Sequence, residues 1–184
     1  MSDYSFRVGV GKVTLSDFSE IIVLNWKGHP QNLRVINLDA GVKLYEDFHE
    51  MPVDIYLKTG ISYYDEDSMR DNTLSFSTYM KAYWKFDIFH KRVRFGFGEG
   101  VSYTPNILYT EYLEASKEGD NNSKFLNYLD VSLDFDIGEL LSLKALKGTY
   151  MGWTLKHRSG IFGLINNVRR GGSNYNTFSI EKTF

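Results

Sequence analysis

The chain has no cysteine. Disulfide scaffolds, thiol nucleophiles and cysteine-bound zinc are therefore excluded, while an oxidising envelope stays compatible. Proline is scarce, with 3 residues against 16 glycines. Neither sign of charge dominates: 21 Lys and Arg stand against 23 Asp and Glu, a formal net charge of -2. That balance excludes a disordered tail and a strongly basic nucleic-acid binder, so no nucleic-acid partner is expected. No apolar run reaches the ~18 residues of a membrane-spanning helix. HxH, HExxH and EF-hand spacings are missing, and no glycine-rich phosphate cradle opens a helix, so neither a metal nor a cofactor is expected.

What is present favours strands. Aromatic residues reach 16%, including 13 Tyr and 13 Phe, and abundant aromatics with few prolines suit a sheet. The 184 residues correspond to about one domain, taken here as the whole of 1–184. Side chains on a strand point alternately to opposite faces, and that alternation runs through most of the chain. From Leu74 to Ile88 one phase reads Leu74, Phe76, Thr78, Met80, Ala82, Trp84, Phe86, Ile88, and the other carries Ser75, Ser77, Lys81, Lys85 and Asp87. From Phe125 to Ile137 one phase is Phe, Asn, Leu, Val, Leu, Phe, Ile, and the other holds Asp130, Ser132, Asp134 and Asp136. Arg34–Tyr45, Val53–Tyr64, Arg92–Tyr103, Thr149–Ser159 and Ser173–Phe184 alternate in the same way.

These runs of roughly 11–15 residues exceed the usual ~5–6 of soluble strands and match a tilted strand crossing a bilayer. Aromatics near the ends of the apolar faces resemble interfacial girdles. The other face is dense in charge, including Asp39, Lys58, Lys81, Arg94, Asp130, Asp134, Lys156 and Glu181. A soluble lipocalin-like or sandwich protein would bury the apolar face and solvate these charges. Strand length, girdles and the terminal Phe184 favour the inverse, with lipid outside and opposite charges paired in the lumen. A C-terminal Phe after an alternating strand resembles the terminal signal of bacterial outer-membrane barrels. Asp65–Asn72, Thr104–Ser123 and Ile161–Gly172 read as outer loops, and Glu46–Pro52, Phe89–Lys91 and Gly138–Gly148 as inner ones. Ser5–Trp26 is either one interrupted strand or two short ones. Merging its pieces gives eight strands, the smallest common membrane barrel, with an interior that side chains can fill. The expected fold is an all-β, eight-stranded antiparallel up-and-down transmembrane barrel in the bacterial outer membrane. Met1 leads straight into polar sequence, so a mature chain carrying an added initiator Met is expected.

One constellation has the composition of a catalytic site. His157 and Ser159 share the lipid-facing phase near the outer rim, with Met151, Trp153 and Leu155. The returning strand brings Asn174 and Asn176 to the same surface. Residues two apart on a strand stand about 6.5–7 Å apart at Cα, so His can take the Ser proton while an amide orients its other ring nitrogen. His29, His49 and His90 sit in turns and read as surface residues. Gly96, Gly98 and Gly100 read as lumen-facing glycines that leave room for large neighbours. Glu99 falls on the apolar phase, where charge is costly; a bulge turning it inward is expected, the alternative being service in a site.

His157-Arg158-Ser159-Gly160, followed by Gly171-Gly172-Ser173-Asn174-Tyr175 and a strand closing on Phe184, resembles the lipid A 3-O-deacylase family of eight-stranded outer-membrane barrels. The resemblance implies Ser159 as nucleophile and His157 as base. The family's acidic residue falls at Asn174, and Gly160 stands where the family usually has Asn. It further implies that Ser159 attacks the 3-O-acyl ester of lipid A, the lipid anchor of lipopolysaccharide, and that water hydrolyses the acyl-enzyme. Backbone N–H groups around Gly160 and Ile161 would hold the oxyanion. Arg158, Arg169, Arg170 and Asn176 would contact substrate, the arginines through lipid A phosphates. Two readings compete: a non-enzymatic barrel that stabilises the membrane or binds partners through the Thr104–Ser123 loop, and, third, a passive channel, which a lumen filled by ion pairs disfavours.

Overall fold

The computed structural model describes residues 3–16, 20, 27–161, 163–169 and 172–184. Eight strands form one closed antiparallel barrel in sequential order: β1 Tyr4–Val13, β2 Arg34–Tyr45, β3 Val53–Asp65, β4 Thr73–Ile88, β5 Lys91–Tyr103, β6 Phe125–Asp136, β7 Thr149–Ser159 and β8 Gly172–Thr183. β8 closes on β1, with Val8 opposite Ile180 and Val10 opposite Phe178. Among the described residues, a single N-terminal strand, ending at Val13, completes the count. Thr14 then bridges Gly28, and most of the remaining N-terminal stretch (17–19 and 21–26) lies outside the described residues.

The barrel is inside-out relative to a soluble protein. Phe6, Ile36, Leu38, Leu57, Ile61, Phe76, Met80 and Phe95 all face outward and are exposed, while Arg7, Lys58, Lys81 and Asp130 are fully buried in the lumen. That burial requires pairing, because an isolated charge in a low-dielectric interior is very costly. Arg7 donates from Nε to Asp39 at 3.1 Å and from Nη to both oxygens of Asp130. Lys81 also donates to Asp130. Arg94 meets Glu181 at 2.9 Å and Asp134 at 3.3 Å. Tyrosines complete the lattice: Lys58 donates to the Tyr83 hydroxyl at 3.0 Å and Lys156 to Tyr128 at 2.6 Å. Gly96 and Gly98 make room for it. A Cβ at Gly96 would lie 2.5 Å from Lys81 Cε, and one at Gly98 would lie 2.9 Å from Tyr79 Cδ2.

The expectation of a bulge at Glu99 is corrected. β5 stays in register with both neighbours there, with Glu99 opposite Met80 and Leu129, and the side chain is exposed on the outer wall. The adjacent glycines serve lumen packing rather than a twist of the strand.

The longest outer loop carries an α-helix that the alternation does not show, α1 Tyr109–Glu118. It ends on Gly119 in the left-handed conformation, with the Gly119 N–H bonded to Ala115 O. It sits across the outer mouth. There Val13, Leu33, Val35, Tyr64, Leu108 and Tyr175 form a small buried cluster. Glu111 points down at Arg158, 3.2 Å away, and accepts from Ser173 Oγ at 2.9 Å.

Candidate functional site

β7 and β8 run side by side with Leu155 opposite Asn176, His157 opposite Asn174 and Ser159 opposite Gly172. Alternation places His157, Ser159, Asn174 and Asn176 together on the outer wall near the rim, as expected.

His157 Nδ1 lies 2.6 Å from Asn174 Oδ1. The orientation of the amide follows from its other contact. Asn174 Nδ2 donates to the Ser16 carbonyl at 3.1 Å, and a carbonyl only accepts. Oδ1 therefore faces the imidazole, Nδ1 carries the proton, and the lone pair belongs to Nε2. This is the tautomer a general base needs. Ser16 is itself held here because Thr14 N–H donates to the Asn174 carbonyl at 2.9 Å.

Ser159 shares the outward phase with His157, but no hydrogen bond joins the two side chains. The space between them is kept open by Gly172. A Cβ there would lie 3.5 Å from both His157 Cε1 and Ser159 Cβ, and 2.5 Å from the Arg158 carbonyl. The start of β8 is fixed by α1, since Gly172 N–H donates to Glu114 Oε2 at 2.9 Å. The wall around the pair is sheltered: outward-facing Leu155 is only 1% exposed and Val131 8%, against 46% for Phe6.

Beyond β7 the chain turns at Gly160 and Ile161. Ile161 has a φ of 48°, and the Gly160 carbonyl accepts from Ile165 N–H at 3.0 Å. Among the described residues, no hydrogen bond uses the Gly160 or Ile161 N–H. Gly160 is required by space: a Cβ would lie 2.1 Å from the Val168 carbonyl.

The other expected contacts divide. Arg158 faces the lumen, not lipid, and this is a correction. It is 1% exposed and donates to Ser102 Oγ at 2.9 Å and Thr104 Oγ1 at 3.0 Å. As the residue between His157 and Ser159, it must point the other way. Arg169 is exposed in the outer turn, its N–H donating to Asp120 at 2.7 Å. Arg170 lies outside the described residues. Asn176 accepts from Trp153 Nε1 at 3.2 Å. Lys12, opposite Asn176 on β1 and exposed outward, is a neighbour that the irregular N-terminal pattern concealed.

No family model and no curated protein matches the chain. Solved structures do. The outer membrane enzyme PagL superposes with a TM-score of 0.61 at 10% identity, covering 98% of this chain and 99% of PagL. Neisserial surface protein A superposes with a TM-score of 0.53 at 9% identity, covering 100% and 98%. At these identities the likeness shows the fold: an eight-stranded barrel of the outer-membrane type.

Proposed function

We propose that this barrel resides in the bacterial outer membrane and is a serine ester hydrolase removing an acyl chain from lipid A. The observation that carries the reading is the His157–Asn174 hydrogen bond, which leaves the imidazole lone pair at Nε2 on the outer wall. The resemblance to lipid A 3-O-deacylases and the fold shared with an outer membrane enzyme support it.

In this mechanism the ester reaches the wall from the outer leaflet. His157 Nε2 takes the Ser159 proton as Oγ adds to the ester carbonyl. The N–H groups of Gly160 and Ile161 receive the oxyanion. His157 returns the proton to the departing sugar oxygen, giving a free hydroxyl and an acyl-serine. Water, deprotonated by the same imidazole, then releases the fatty acid. Asn174 fixes the ring without offering a full negative charge to the imidazolium. The Ser159 hydroxyl must swing to His157 when substrate binds, since the two are not bonded here; hydrogen bonds of this kind commonly tighten only with substrate present.

That missing bond also favours the second reading, a barrel without enzymatic activity that binds partners through α1 and its loop. Mass spectrometry of lipid A incubated with the detergent-folded protein separates the two. Hydrolysis predicts loss of one acyl chain with wild type and none with Ser159→Ala or His157→Ala. Unchanged lipid A, or equal turnover by both variants, leaves the binding barrel standing.

A further inference from the structure

Lys12 is the next-to-last residue of β1 and Arg34 the first of β2, and the two stand directly opposite each other. Directly opposed residues in an antiparallel pair are about 4.5–5.5 Å apart at Cα. Both belong to the outward phase and both are exposed. Two like charges facing each other repel and gain nothing from the sheet.

Among the described residues, no acid relieves them. Asp65 lies opposite Arg34 on β3, but its Oδ1 accepts from the Asp67 N–H at 3.3 Å, and no ion pair joins it to Arg34. Among the described residues, Lys12 likewise has no ion pair. On its other side lies Asn176 of β8, so the row continues from the cation pair into the candidate site.

The wall beneath is apolar. One step inward, Val10 lies opposite Ile36 on one side and Phe178 on the other, and they are 54%, 51% and 51% exposed. Two unpaired cations at the rim above a greasy strip match an amphiphile with a multiply anionic head and acyl tails. Arg offers a planar fork and Lys a point charge, a pairing suited to phosphate oxygens.

We propose that Lys12 and Arg34 form a binding site for the phosphorylated headgroup of an outer-leaflet lipid, seated beside the His157–Asn174 pair. The inference rests on the outer-membrane placement above but not on hydrolysis. The phosphate docks on the cation pair, the tails run down Val10, Ile36 and Phe178, and the headgroup lies across Asn176 towards His157.

Binding is measured in zwitterionic micelles by native mass spectrometry, in a Ser159→Ala background so that no substrate is consumed. The probes are phosphorylated lipid A, its dephosphorylated form and inorganic phosphate. The expected result is phosphorylated lipid A held about tenfold or more tighter than the dephosphorylated form, as two cations near a surface would contribute. Lys12→Gln/Arg34→Gln abolishes that preference, and Lys117→Gln, which removes a cation of α1 away from the pair, leaves it intact. Heat-modifiable gel migration confirms that each variant is folded. Equal binding of both lipid forms by the Ser159→Ala parent overturns the proposal. So does an undiminished preference in the double variant. Complete displacement of the lipid by micromolar inorganic phosphate overturns it as well, marking a free-phosphate site. Absent hydrolysis with this preference intact would sink the enzyme and spare the headgroup site.

Discussion

Asn174 answers two partners with opposite demands. The imidazole N–H needs an acceptor and the Ser16 carbonyl needs a donor. An amide supplies both; a carboxylate would set an anionic oxygen against a carbonyl. This gives a physical reason for an amide where the resembling family has an acid. It also gives a test. Asn174→Leu keeps the volume and removes both bonds, so His157 loses its fixed tautomer. Turnover of lipid A is expected to fall by about 10- to 100-fold, the usual effect of losing an orienting partner, and nitrogen NMR of His157 should show mixed tautomers. Asn176→Leu, which forfeits the Trp153 N–H contact and leaves both bonds of Asn174 in place, should keep the single tautomer. Full activity with an unchanged tautomer in Asn174→Leu would remove Asn174 from the site. The His157, Ser159 and Asn174 grouping was legible because period two and one hairpin fix it. Alternation also places Arg158 in the lumen, against its expected role at a phosphate. Lys12 and Arg34 could not be paired from the sequence, since β1 and β2 are joined by a long segment whose length hides the register.

At the scale of elements, the seven strands from Arg34 onward were legible nearly to the residue, because each alternates between lipid and lumen; β1 was not, since the stretch read as Ser5–Trp26 carries an irregular pattern and its strand ends at Val13. α1 was not, because the residues it buries are Thr110, Glu111 and Ala115, which leave no apolar stripe to read. Its docking buries titratable carboxyls and therefore depends on pH. Burial raises the Glu111 carboxyl above the ordinary carboxylate range, outweighing the opposing pull of Arg158. Glu66, which accepts from the Tyr109 N–H at the start of α1 at 2.5 Å, is raised by burial too, and Glu111 pushes it further in the same direction. A carboxyl that holds its proton more tightly in the docked state stabilises that state fully below its ordinary pKa, about 4.3 for Glu. The stabilisation is lost as pH rises through the raised values. Hydrogen exchange in α1, corrected for intrinsic rates, should show easier opening at pH 8 than at pH 4. Glu111→Gln should flatten the trend. A helix that docks more firmly as pH rises would show that the Arg158 ion pair dominates instead.

The molecule as a whole is held by a lumen that replaces the hydrophobic core. The sequence showed that these charges face inward but not how they pair, since partners such as Arg7 and Asp130 meet across the barrel, where alternation along a strand says nothing. Asp130 is the node. It bonds Arg7 and Lys81, accepts from the Tyr128 hydroxyl at 3.2 Å, and lies 3.6 Å from Lys156. Removing one member of a buried charge group leaves its partners uncompensated, at a cost of about 3–5 kcal/mol. Asp130→Ala withdraws an anion from three cations; Arg7 and Lys156 keep Asp39, and Lys81 is left without an ion-paired acid among the described residues, so the effect falls within that range. Substitution on the lipid wall should cost far less: Phe6→Leu trades one apolar outward side chain for another. Denaturant unfolding followed by heat-modifiable migration reads both. Asp130→Ala should lower the unfolding midpoint markedly while Phe6→Leu barely moves it. The reverse ranking would mean that contacts on the outer wall, not the charge lattice, hold the barrel closed. Asp130→Asn refines the outcome. The amide keeps an acceptor for Arg7 but withdraws the charge, so a midpoint between wild type and Asp130→Ala would divide the lattice energy into its hydrogen-bonding and Coulombic parts.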